Sequence, residues 1–481
     1  MRRQEDQTNL AIEIYGRRIY KDQTLYEYFL EFMLVFLSEK AVNGAKIPAG
    51  LFPDCLGLIE YSARPRVGLK RLLFFSRSKR EHKFQVDEQA HAEHCRLLKS
   101  HICSSHDLLT EELTVRLIQE LFCGFTAVQR NRSWFVQSLF PICPEVVFPE
   151  AMGHKSERRD MQFAWGDFQV DHRFEFHGYY FMARGGEVYF LHLLQGFESR
   201  PELRPIVEDG LNSLVRSFPM FSALATWAES LWNNTMKNDS EYVITKRCGQ
   251  IPTGYRRRAV LACQELANLL QSEIDPLRKM EILAQGIVLQ ILRMMHEQAA
   301  TICRSTVESP TWVVHVPGCN SPSVKHSSIQ SYCACEDDLI SVLYKYQESS
   351  AYEASNDPHE RQEEIKEASD NSHKLFRRLG KEIGLIVPPK GAGMRFSLSE
   401  DLVRFLVLSL IPPGRKVLLS SFLDLLFEHF GIVVSPAHAA TAPWLYANEE
   451  AFRTMLKDCG FLRDLSDATS IVENPFKELA L

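Results

Sequence analysis

Enzyme chemistry in this chain would have to rest on Asp167, Asp171, Glu175 and His177. Carboxylates bind hard divalent cations through oxygen, and a cation held that way activates water for phosphodiester hydrolysis. On an extended strand, residues two apart share a face, so Glu175 and His177 point the same way. A metal-dependent nuclease is therefore one reading, with these four residues as its candidate catalytic set. No lysine follows the acidic strand residue at nuclease-like spacing. The competing reading, which the sequence favours, makes the four polar residues the wet face of an antiparallel sheet.

Cysteine and histidine clusters offer a second chemistry. His91, His94 and Cys95 share a helix face if a helix runs from residue 87, with His101, Cys103 and His106 close by in sequence. His315, Cys319, His326, Cys333 and Cys335 fall in a segment rich in Cys, His, Pro and Ser. Structural zinc requires four ligands, usually with paired short spacings. Neither segment has that spacing, so surface histidines and an ordinary loop compete with zinc. There is no Walker loop, GxSxG elbow or dinucleotide fingerprint, so no cofactor is expected and stand-alone ATP hydrolysis is disfavoured.

Phosphate recognition would need concentrated cations. Residues 64–83, RPRVGLKRLLFFSRSKREHK, hold eight of them: Arg64, Arg66, Lys70, Arg71, Arg77, Lys79, Arg80 and Lys83. Double-stranded DNA, an acidic partner protein or plain solvation would each suit this run. Arg377, Arg378 and Lys381, with Lys374, form a second basic face on a helix. Arg256, Arg257 and Arg258 read as an exposed cluster.

The elements that would position these residues are clearest in the last quarter of the chain. Leu375, Leu379 and Ile383 recur at helical spacing before Gly384, and Pro388-Pro389 forbids continuation. Ser397 and Glu400 have capping-box spacing ahead of a helix over 399–410. Pro412-Pro413-Gly414 breaks it. Ser421 with Asp424 suggests a further cap, and Phe422, Leu425, Leu426 and Phe430 make an apolar stripe ending at Gly431. A strand over 432–434, a helix over 444–457 and a strand pair within 461–472 follow. That order suits a winged-helix-like module. Asp424, Glu428 and the apolar 419–430 segment are unlike a DNA-reading helix, so a helical domain that only packs against a partner remains open.

Upstream, Thr24 and Glu27 cap a helix to residue 38, and helices are expected over 108–125, 201–236 and 255–303, the last containing the cap-and-first-turn pair Asp275-Pro276. Residues 173–182 and 187–194 read as two strands joined at Arg184-Gly185-Gly186, a hairpin signal. The polar stretch after Gln347 marks a linker or solvent-exposed helix. The expected fold is α+β and mainly helical, with a β-hairpin-containing amino-terminal region and a carboxy-terminal winged-helix-like module. Its expected divisions are 1–200 mixed α+β, 201–346 helical, 347–372 polar linker and 373–481 winged-helix-like.

Length and charge set the outer limits. The 481 residues suffice for several cores, and a net charge of -6 leaves nucleic-acid contact to local patches. The start MRRQEDQTNLAIEIYG lacks the uninterrupted apolar core of a secretory signal, and the apolar run 28–37 is too short to span a bilayer. Twelve cysteines without framework spacing fit a reducing compartment, so a cytoplasmic protein without membrane contact is expected.

Two blocks, YGRRIYKDQTLYEYFLEFMLVFL and LGKEIGLIVPPKGAGMRFSLSEDLVRFLVLSLIPPGRKVLLSSFLDLLFEHFGIVV, resemble accessory subunits of bacterial phage-defence loci. The similarity is to the non-methylase, non-ATPase subunit of methylation-associated systems and, more remotely, to the G component of phosphorothioation-dependent restriction. The resemblance implies a neighbour-encoded ATP-binding subunit as partner and DNA as the shared substrate of the assembly. A non-enzymatic scaffold or DNA-contacting subunit is the function it suggests.

Overall fold

The computed structural model describes residues 10–16, 19, 25–38, 40–42, 45–54, 59–61, 69–71, 92, 96, 99, 110–123, 147–149, 185–223, 225–226, 251–304, 309–352, 357–439, 442–466 and 469–477. The fold is mainly helical, with small sheets between the helices.

After α1 (Leu10–Tyr15), the core is organised around α2 (Leu25–Phe36), whose Tyr28, Phe29, Phe32, Met33 and Phe36 are all buried. A helix this rich in buried apolar side chains belongs inside, and α2 packs against both α4 (Gly185–Ser199) and α7 (Pro276–Arg304). Further on, α3 (Glu111–Cys123) precedes α4, and α5 (Leu203–Ser217) and α6 (Arg256–Gln271) follow it. Phe52 joins the same core, stacking on Phe190 at 4.8 Å and meeting Phe197 edge-on at 5.1 Å.

The existence of α4 corrects the expected hairpin. The second arm, 187–194, is helical, and the first arm lies outside the described residues. The glycines that suggest a turn serve a helix crossing instead. A Cβ on Gly186 would sit 2.3 Å from the Tyr28 carbonyl oxygen and 2.5 Å from the Phe32 nitrogen, so only glycine lets α4 approach α2 this closely. Glu31, which interrupts the apolar run of α2, accepts a hydrogen bond from the Gly186 amide at 2.8 Å and so caps α4 across 155 residues. An antiparallel hairpin does form in this region, between β1 (Lys40–Val42) and β2 (Ala45–Ile47), with β3 (Ile59–Tyr61) on the other side of β1. In a separate sheet, β4 (Leu69–Arg71) pairs with β5 (Val147–Pro149).

Asp275 caps α7 as expected, its Oδ1 accepting from the amides of Leu277 and Arg278 at 3.0 and 3.1 Å. β6 (Trp312–Val313) precedes α8 (Pro322–Gln347), which packs along α7. The Cys/His-rich segment is therefore mostly strand and helix rather than a zinc-ordered loop. Cys335 is buried in the main core, and Cys319 packs in a satellite cluster with Val324, Val433, Ala442 and Leu445. The expected polar stretch contains α9 (Pro358–Asp370), capped by Asp357 and burying Ile365 and Ala368.

In the carboxy-terminal part, α10 (His373–Glu382) buries Leu375 and Leu379, and an antiparallel pair, β7 (Ile386–Val387) with β8 (Arg395–Phe396), follows. Ser399, not Ser397, caps α11 (Glu400–Leu410), accepting from the Leu402 amide at 3.2 Å, while the Ser397 hydroxyl donates to the His315 carbonyl. After β9 (Lys416–Leu418), α12 (Leu419–Phe430) begins before Ser421, so the expected second cap is not used. Gly431 ends α12 at φ 62°. The next strand, β10 (Ile432–Val433), pairs in parallel with β6. α13 (Tyr446–Asp458) leads to β11 (Leu462–Ser466) and β12 (Thr469–Glu473), which with β9 form a sheet of order β11-β12-β9. One continuous apolar core runs from Leu10 to Val472. Among the described residues, no helix is long and apolar enough to cross a membrane.

Candidate functional site

The surface built by α13 and the β11-β12-β9 sheet is anchored by the buried Phe452, Leu456 and Val472 and by the buried side chain of Asn448. Asn448 on α13 donates from Nδ2 to the carbonyls of Val314 and Val434, at 2.9 and 3.0 Å, and accepts at Oδ1 from the Val316 amide at 2.9 Å. A neutral amide thus stitches α13 to the chain beside β6 and β10.

On this surface the basic groups are already occupied. Arg453 lies 3.6 Å from Glu450, Lys457 pairs with Asp464, and Arg463 and Lys416 both engage Glu473, at 2.5 and 3.4 Å. Hydrogen bonds from Lys457 and Ser470 hold the Asp464 carboxyl below its ordinary range. The residues of α13 and the three strands carry four cations, Lys416, Arg453, Lys457 and Arg463, against five carboxylates, Glu449, Glu450, Asp458, Asp464 and Glu473, a net of -1. Large apolar side chains stand out instead: Tyr446 is 66% and Leu465 65% exposed, with Trp444 and Leu418 also open to solvent.

Between α11 and α13 lies a groove of about 350 Å³, lined by Leu398, Ala451 and Met455 and flanked by Glu400, Asp458 and Thr454, with Pro317 and Gly318 at one side. Arg278, which does not line the groove, pairs with Asp401 and Glu281, at 2.6 and 2.8 Å. Arg404 lies over the Phe461 ring.

The basic face expected on α10 is engaged within the fold. Arg377 pairs with Glu336 and reaches the Tyr332 hydroxyl at 3.3 Å, Arg378 lies 3.9 Å from Glu382, and Lys374 lies 2.8 Å from Asp370. Lys381 is half-buried beside them. Lys70 and Arg71 lie in β4. The other cations of 64–83, the acidic set Asp167, Asp171, Glu175 and His177, and the 91–106 histidine cluster lie outside the described residues.

Arg258 corrects the expected exposed triplet. Its side chain and that of Glu265 are each 1% exposed and pair at 2.5 Å on α6. Gln290 of α7 and His429 of α12 close the network, and Arg258 donates to the His429 carbonyl and lies over the Phe430 ring at 4.6 Å. Burial pulls the Glu265 carboxyl up, but Arg258 and His429 outweigh it and hold it below its ordinary value. A second buried network joins His296 to Asp338 and Trp312, with Arg304 on the same carboxylate. Both networks tie helices together. Among the described residues, no group of three or more His, Cys, Asp or Glu converges to hold a metal ion.

Sequence reasoning missed Tyr446, Leu465, Glu400 and Asp458 as surface determinants. The available signal was Trp-Leu-Tyr at the start of α13, where only Leu445 turns inward. The chain matches no protein-family model, no curated protein and no solved structure.

Proposed function

We propose that this chain is a non-enzymatic scaffold subunit of a restriction-like anti-phage complex, joined to an ATP-binding subunit through the winged-helix-like module expected over 373–481. Supporting this reading is the order α11, β9, α12, β10, α13, β11, β12 with the sheet order β11-β12-β9, which is like the connectivity of a winged helix except that β10, paired with β6, stands between α12 and α13. In that arrangement α13 takes the recognition-helix position and β11-β12 is the wing.

The observation that carries the choice of protein over DNA is the internal pairing of Arg453, Lys457, Arg463 and Lys416 with carboxylates. A helix that reads DNA presents free cations and amides to phosphates and base edges. Here the surface has no excess of positive charge and displays Trp444, Tyr446 and Leu465, and aromatic side chains dominate protein–protein hot spots. The sequence carries no phosphate-binding loop, and in this proposal nucleotide turnover belongs to the partner. Any DNA contact by this chain falls to the 64–83 segment.

Co-purification with the ATP-binding subunit encoded beside this gene, together with gel shift of a DNA duplex, tests the reading. Complex formation lost on Tyr446→Ala, with duplex binding unchanged by Arg453→Ala and Lys457→Ala, is the expected result. Duplex binding that depends on Arg453 and Lys457 would overturn it.

A further inference from the structure

We infer that the groove between α11 and α13 receives an arginine side chain of the partner protein, an inference that rests on the docking reading above. The groove has the two properties such a side chain needs. Leu398, which is buried, and Met455, nearly so, give an apolar wall for the aliphatic stem. Glu400 and Asp458, both exposed at its rim, give acceptors for the planar guanidinium, which forks naturally onto carboxylate oxygens.

The local cations do not already fill this role. Among the described residues no ion pair engages Glu400 or Asp458. Arg278 serves Asp401 and Glu281, Lys457 serves Asp464, and Arg404 covers Phe461. The helix ends nearly offset each other: the start of α11 disfavours a cation, and the end of α13, where Asp458 sits, favours one. The two side-chain carboxylates therefore decide the sign of the site. Thr454 adds a hydroxyl on the same rim.

Methyl NMR of the full chain, labelled with 13C at methionine methyls, reads the groove directly through Met455, assigned from Met455→Leu. N-acetylarginine amide is the probe and N-acetylnorleucine amide the control. A saturable shift of Met455 with the arginine probe is expected, absent with norleucine and weakened about fivefold or more in Glu400→Gln/Asp458→Asn. A silent Met455, an equal response to norleucine, or an unchanged response in the double variant overturns the inference. With the ATP-binding subunit, the same double variant is expected to lower affinity about tenfold. Unchanged affinity there overturns the groove inference alone if Tyr446→Ala still abolishes binding. If neither variant changes binding, the docking reading fails as well.

Discussion

Trp312 donates its indole N–H to Nδ1 of His296 across 2.7 Å, with the two ring planes within 3° of each other. An indole nitrogen only donates, so Nδ1 must be unprotonated and Nε2 carries the hydrogen facing Asp338 at 3.2 Å. The geometry requires a neutral imidazole. Burial agrees, pushing His296 down to about 4 against the upward pull of Asp338.

Acid sensitivity follows from this pair and from His192, which burial and the Arg258 charge push down to about 3. An unfolded histidine takes up its proton near pH 6.5. The folded chain refuses that proton until the pH is far lower, so unfolding gains protons. Stability is therefore complete above about pH 6.5 and falls toward pH 4, by about 1.4 kcal/mol per pH unit for each histidine. Urea unfolding at about pH 7.5, 6 and 5 measures the slope, which His296→Gln should reduce. A slope the same in His296→Gln would contradict the assignment.

Arg258 and Glu265 offer a sharper test of the helix assembly. Arg258→Met leaves the Glu265 carboxylate buried without its main counter-charge and should cost about 3–5 kcal/mol in urea unfolding. The double variant Arg258→Met/Glu265→Leu should be less destabilised than Arg258→Met alone, because replacing a buried ion pair with apolar groups removes the unpaired charge. Additive losses would show that the two residues do not act as a pair.

Asn448 links stability to the proposed docking surface. Asn448→Leu strips partners from two buried carbonyls and one amide, each worth about 1–3 kcal/mol when left unsatisfied. The expected result is a lower unfolding temperature, with partner binding weakened even where circular dichroism shows the helices intact. Partner affinity equal to wild type would separate the position of α13 from docking.

Gly431 makes a fourth case. Its φ of 62° and the 2.6 Å distance from a built Cβ to both the Arg293 guanidinium and the Pro310 carbonyl leave no room for a side chain. Gly431→Ala should lose at least about 1–2 kcal/mol from backbone conformation alone, measurable by thermal unfolding. A neutral effect would place the α12 terminus elsewhere.

The parts of the fold legible in the sequence are those whose causes are local. The α7 cap at Asp275, the end of α12 at Gly431 and the helices around Leu375 and Phe422 depend on residues within a few positions. Gly185-Gly186 misleads because its cause is remote: the backbone of Tyr28 and Phe32 passes beneath it. Arg258 looks exposed for the same reason, since two of its partners, Gln290 and His429, belong to other helices. The site is less legible than the fold. Its groove is assembled from segments near 317, 398 and 451–458, and its charge depends on cross-element pairs such as Arg463 with Glu473.

The most direct measurement is isothermal titration of the purified protein with the proposed ATP-binding partner, wild type against Tyr446→Ala/Leu465→Ala. The account predicts a stoichiometric complex whose affinity falls about tenfold or more in the double variant, as expected for removal of two exposed anchor residues. Equal affinity for wild type and variant, or no association of the wild-type chain, would contradict it.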